Sequence, residues 1–255
     1  MSDPQYDDIL RKYGLAEPQQ NRIGLGWLLA AAIATVVLWQ IPLGGFILYP
    51  FTILATWFHE MGHGLMAMLL GGRFEQLQIF PSGSGFAIHS GRLFLGPIGR
   101  ALVAAAGPMG PPLAGAAFII ASTRQGATRM GLLLLGGLLV LSAVIWVRSL
   151  FGLAMVLALG GFVLAIALYA PRWLQSFTIL FLGVQACIST YHQLDYLFMN
   201  QAVIGGQPML SDSGQIAQNL LLPHWFWGGL MAIGSLVLLV QSLRIAYRRS
   251  PKSTL

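Results

Sequence analysis

Runs of about 20 predominantly apolar residues, long enough to cross a hydrocarbon layer of about 30 Å as helices, recur along this chain of 255 residues. They fall near 24–47, 51–70, 96–121, 130–147, 151–170, 173–194 and 224–246. Backbone amides in lipid find no water to bond, so segments of this kind must fold as helices and pack as a bundle. Composition agrees: 56% of residues are apolar and only 9% charged. These runs predict an all-α polytopic membrane protein with six to eight transmembrane helices. Seven is the count the runs give, and the short fourth run sets the range.

Residues 1–22 form a polar N-terminal tail in which Asp3, Asp7, Asp8, Arg11, Lys12, Glu17 and Arg22 leave no apolar run, unlike a cleavable signal peptide. Residues 23–246 read as a single membrane-embedded domain, and 247–255 as a basic C-terminal tail. The net charge of +6 comes from Lys and Arg scattered at the ends of apolar segments. That is membrane flanking and not a nucleic-acid surface. The basic residues divide evenly between the two sides, so they fix no orientation. One cysteine, Cys187, excludes an internal disulfide and a Cys-based zinc site.

Two segments interrupt the helical pattern. Residues 71–92 open on Gly71-Gly72, alternate Phe74, Gln76, Gln78 and Phe80 against Glu75, Leu77 and Ile79, and turn at Pro81-Ser82-Gly83-Ser84-Gly85 before a second short run, Phe86 to His89. This is a β-hairpin signature. Residues 200–223 form a polar connection in which Ser211 or Asp212 can cap a short helix over Gln215 to Leu221.

Within the second run stands His59-Glu60-Met61-Gly62-His63. On a helix the histidines fall at i and i+4, one turn apart on one face, where both imidazoles can hold a Zn²⁺ ion while Glu60 stands beside it as a base. A charged side chain at the centre of a span costs roughly 2.5–3.5 kcal/mol, so this cluster in lipid demands a role. A catalytic zinc site needs a third protein ligand. Beyond the polar tail the acidic residues are Glu60, Glu75, Asp195 and Asp212, and the other histidines are His89, His192 and His224. Asp195, at the end of the sixth run, is the first candidate. Asp212 follows, since the loop before the last span can fold back, and His192 is a further alternative or a partner orienting Asp195. An aspartate brings the sum of Zn²⁺, two neutral imidazoles and ionised Glu60 to zero, which suits a low-dielectric interior.

These residues resemble the site-2 protease family of intramembrane zinc metallopeptidases. The likeness rests on the motif in an early span, the Gly-rich hairpin-like segment after it, and Ala104-Ala105-Ala106-Gly107-Pro108 in the next span. Leu194-Asp195 is followed by Tyr196 where the family often has glycine, and Pro111 stands where its Gly-Pro pattern has asparagine. No segment reads as a PDZ domain, which implies a compact branch. The resemblance implies hydrolysis of peptide bonds in or near transmembrane segments of other proteins, with zinc on His59, His63 and an aspartate, and Glu60 as general base and acid. The expected setting is a lipid bilayer, in an integral multi-pass protein of a bacterial inner membrane. Polar atoms of Gln76, Gln78, Ser82, Ser84 and Ser90 are candidates for a water path, and the strand Arg73 to Phe80 is a candidate edge for an extended substrate. The alternative class is a membrane metal-binding protein or metal permease, although paired interrupted helices in two similar halves are not apparent.

Overall fold

The structure is a computed structural model that describes residues 33, 35, 37, 38, 40, 41, 43–192 and 194–249; the side chains of His192 and Arg249 lie outside that description. The expected polar tail 1–22 and most of the first expected span lie outside the described residues.

Among the described residues eight helices are present, and two small antiparallel hairpins interrupt them. Helix α1, Gly44–Leu69, absorbs the end of the first apolar run and carries the motif. Its 26 residues rise about 39 Å. Strands β1, Arg73–Ile79, and β2, Gly85–Ser90, follow. Helices α2, Pro97–Ala121, α3, Gln125–Ile145, α4, Leu150–Tyr169, and α5, Arg172–His192, then cross the bundle. The short α6, Leu194–Phe198, leads into β3, Gln201–Ile204, and β4, Gln207–Leu210. Helix α7, Asp212–Asn219, precedes α8, His224–Arg249. Five of these helices, α2 to α5 and α8, are long and apolar enough to cross a membrane. They coincide with the last five runs read from the sequence. Helix α1 is long enough, but the polar motif lowers its apolarity.

The outer faces are apolar. Leu134, Val144, Leu150, Phe162, Ile233 and Val237 are all exposed by half or more, as expected where the surrounding solvent is lipid and not water. Lipid provides no hydrophobic drive for helices to associate, so close backbone approach through small residues supplies the contact. A Cβ on Gly115 of α2 would lie 2.5 Å from the Gly183 carbonyl of α5, and one on Gly183 would lie 2.8 Å from the Gly115 carbonyl. A Cβ on Gly62 would overlap the Ala106 carbonyl, which brings α1 and α2 into the same intimate contact.

The expected hairpin is present, with a register the alternation did not predict. Phe74 pairs with His89, a bulge follows at Glu75, and Gln76, Leu77, Gln78 and Ile79 then pair with Ile88, Ala87, Phe86 and Gly85. The extra residue moves Phe74 onto the same buried face as Leu77 and Ile79. Strict alternation would set Phe74 with Gln76.

The outer edge of β1 is closed, contrary to its expected role as a free edge. Leu77 N–H donates to the Trp146 carbonyl at 2.9 Å, and Arg148 N–H donates to the Leu77 carbonyl at 3.0 Å, a parallel bridge to the α3–α4 connection. Ile79 N–H donates to Ser149 Oγ at 3.0 Å, while that hydroxyl donates to the Ile79 carbonyl at 2.9 Å. Phe74 stacks on Trp146, whose Nε1 donates to the Phe74 carbonyl. The turn is tied to α1 by Tyr49 to the Pro81 carbonyl and Thr56 to the Gly83 carbonyl. With one side of β1 on β2 and the other on residues 146–149, the outer edge of this hairpin belongs to β2.

Ser149→Ala leaves both backbone groups of the fully buried Ile79 without their side-chain partner. An orphaned buried polar group costs about 1–3 kcal/mol. The variant is expected to unfold at a lower temperature in detergent, with Ser149→Thr falling less; equal stability of Ser149→Ala and wild type would remove this role.

Candidate metal centre

The spacing of His59 and His63 puts both rings on one face of α1, with ring centroids 4.9 Å apart. His63 Nδ1 lies 2.8 Å from the Val103 carbonyl of α2. A carbonyl can only accept, so Nδ1 carries the proton, and in the neutral ring Nε2 presents a lone pair. Both Nε2 atoms face one carboxylate: Asp212 Oδ2 is 2.9 Å from His59 and Oδ1 is 3.2 Å from His63.

Asp212 reaches this position because α7 begins there. Ser211 caps the helix by accepting from Gly214 N–H at 3.0 Å, as its sequence signature predicts. The hydroxyls of Ser211 and Ser213 donate to the Met199 carbonyl, and Tyr196 donates to Asp212 Oδ2 at 3.2 Å. Ser211, Asp212 and Ser213 are all at most 2% exposed, so the carboxylate has been drawn out of water.

Asp195, the first candidate for the third ligand, lies elsewhere. It sits in the five-residue α6 with its side chain exposed, and the carboxylate gathered with the two histidines is that of Asp212. The Leu194-Asp195-Tyr196 segment still reaches the centre, through Tyr196. His192 ends α5, and its side chain is outside the described residues. His224, at the start of α8, is not in the gathered group. The serines expected along a water path bond elsewhere: Ser82 and Ser84 pair at the hairpin turn at 2.8 Å, and Ser90 donates to Glu75.

The donor set fits a divalent cation. One ligand atom from each of His59, His63 and Asp212 lies within 4.8 Å of the others. Tetrahedral ligands about 2.0–2.1 Å from one ion stand ~3.3 Å apart, so the two His–Asp212 separations need to widen by only a few tenths of an ångström. Space is also reserved. A Cβ on Gly107 of α2 would overlap His63 Nε2 and lie 2.7 Å from His59 Nε2. Any larger residue would occupy the place where the lone pairs converge.

Glu60 stands one residue along from His59 and is 6% exposed. Its carboxylate lies within electrostatic reach of the Ala87 amide of β2, of both histidines and of Asp212. The hairpin is pressed against α1 here: a Cβ on Gly85 would meet Thr56 Cγ2 at 2.8 Å and Glu60 Cγ at 3.2 Å. Two neutral donors and two carboxylates, with the Val103 carbonyl on His63 and the Tyr196 hydroxyl on Asp212, form an arrangement suited to metal-assisted hydrolysis. Sequence reading missed Tyr196, the Val103 carbonyl and the Ala87 amide. Of these only Tyr196 left a trace, as the neighbour of a candidate acid.

A family model described as Peptidase M50B-like matches residues 28–242. Comparison with curated proteins and with solved structures gave no match. The match covers most of the chain and includes both histidines, Glu60 and Asp212, so this protein belongs to the peptidase M50B-like family, the site-2 protease family of membrane metallopeptidases.

Proposed function

We propose that this protein is an intramembrane zinc metallopeptidase that hydrolyses peptide bonds in or near transmembrane segments of other membrane proteins. The observation that carries the reading is the single buried carboxylate of Asp212 set against both Nε2 atoms of the motif. Asp212, and not Asp195, is then the third ligand beside His59 and His63. Two imidazole nitrogens and a carboxylate oxygen are a borderline donor set that suits zinc. With Asp212 and Glu60 ionised, a dication brings the centre to zero net charge in the bundle interior.

Zinc bound there supplies Lewis acidity, lowering the pKa of water and polarising a carbonyl. The protein's own residues do the rest. Glu60 takes the proton of the attacking water on a carboxylate oxygen and delivers it to the leaving amine. The Val103 carbonyl fixes the His63 tautomer, and the Tyr196 hydroxyl fixes the Asp212 carboxylate. Peptide groups of an intact helix are already bonded, so the substrate must be locally extended. The outer edge of β2, beside Glu60, is the place for such a stretch to add by strand pairing.

Glu60→Gln is expected to keep its zinc, measured by elemental analysis, while cleavage of single-span reporter proteins falls by 10²-fold or more. Asp212→Ala should lose most of its zinc and Asp195→Ala should keep it. Retention of zinc by Asp212→Ala, with loss from Asp195→Ala, would overturn the ligand assignment.

Gly107→Ala places a methyl group on the converging lone pairs. It is expected to fold, as judged by its thermal transition, yet bind little zinc. A variant that binds zinc as wild type does would show that the ion sits elsewhere.

A further inference from the structure

Beside the metal centre, between β2, α2 and α7, lies a cleft of about 470 Å³ lined by His89, Arg100, Val103, Gln215, Gln218 and Asn219. It is the size of a pocket for a ligand or a few side chains. Its floor is Val103, the residue whose carbonyl holds His63, so the cleft and the metal centre share a wall. One of its lining residues, Arg100, carries a permanent positive charge and none is acidic.

Arg100 is held in a fixed pose. Its Nε donates to Asn219 Oδ1 at 2.6 Å, and Asn219 Nδ2 donates to the Gln215 carbonyl at 2.8 Å. This leaves the two terminal nitrogens of the guanidinium. Among the described residues they meet no carboxylate, since both ion pairs present join Asp212 to a histidine. A planar guanidinium steadied along one edge is suited to a two-pronged grip on an anion.

Helix α7 gives the distance. Asp212, Gln215 and Asn219 stand at i, i+3 and i+7, a single stripe that runs from the metal centre into the cleft. Seven residues of helix rise ~10 Å, and an extended chain covers that in about three residues.

We infer that this cleft is a substrate subsite, in which Arg100, steadied by Asn219, takes the carboxylate of an acidic side chain about three residues from the bond to be cut. The inference rests on the hydrolytic reading of the neighbouring centre. Gln215 and Gln218 bring both donors and acceptors, which match peptide groups flanking that side chain; a lipid phosphate would call for donors alone.

The test uses the full-length Glu60→Gln protein in phosphatidylcholine nanodiscs and a fluorescent single-span peptide with a Gly-Pro helix break. One Glu, or its isostere Gln, is walked over four positions on each side of the break. At one position Glu should bind about tenfold more tightly than Gln, as one charge-assisted pair warrants. Adding Arg100→Gln should bring that ratio close to one, and Arg100→Lys should retain part of it, with the zinc content of each variant reporting its fold. No position preferring Glu, or a preference undiminished by Arg100→Gln, overturns the subsite. So does an effect of Arg100→Gln confined to the binding of phosphatidylglycerol, measured in parallel nanodiscs that include that lipid, which would assign the anion to lipid. Cleavage by the protein with Glu60 intact is scored separately. Glu preference without cleavage would fail the hydrolytic reading and leave the subsite standing, whereas cleavage without Glu preference would do the reverse.

Discussion

A carboxylate withdrawn from water between two imidazoles is the constraint on which the rest of this structure turns. Asp212 is 2% exposed and Glu60 6%, and two acids at that depth repel unless positive charge lies between them. The elements around them are organised to hold both. Helix α7 folds back so that its first residue enters the bundle, and the seryl hydroxyls of Ser211 and Ser213 satisfy the Met199 carbonyl left by that return. The motif helix supplies the imidazoles, and α6 supplies the Tyr196 hydroxyl. None of these is a strong stabilising contact by itself. Together they keep donors aimed at one point, which is what a metal centre needs from its surroundings.

Helix α2 makes that convergence possible. It packs against α1, α5, α7 and α8, and where it meets α1 it offers backbone in place of side chains. Gly62 against Ala106, and Gly110 against Phe58, bring the two helices close enough for the Val103 carbonyl to reach His63. Gly107 then leaves open the one direction in which both Nε2 atoms point. Small residues serve here both as the packing surface available to helices in lipid and as the boundary of the site.

What the sequence made legible follows from the range of the interactions involved. Spans are set by length and apolarity alone, so the last five runs match the helices to within a few residues at most ends. His59, Glu60 and His63 lie within one turn of one helix, and the cap at Ser211 is equally local. Asp212 against Asp195 is a question of how a distant loop folds back, and nothing in either neighbourhood states it. Tyr196 shows how close the two alternatives lie: the segment of Asp195 reaches the gathered group through the next residue. The bulge at Glu75 reverses the face of Phe74 with no glycine to announce it. The covered edge of β1 was hidden for a further reason, since residues 146–149 carry no strand signature and meet β1 only because α3 ends there.

That covered edge gives the hairpin two unlike sides. On β1, Leu77 and Ile79 are fully buried and bonded to the α3–α4 connection, so displacing this strand would expose an apolar face and orphan several backbone groups at once. On β2 the Ala87 amide lies within electrostatic reach of the Glu60 carboxylate. The stiffness of the first side therefore sets the position of the second. A chain pairing with β2, as proposed, would meet a strand held from behind, beside Glu60 and the two imidazoles beyond it. Reactions between positioned groups lose most of their advantage with displacements of an ångström. A hairpin free on both edges could not hold such a distance, which makes the Ser149 and Trp146 contacts, although remote from the histidines, part of what fixes the geometry of the centre.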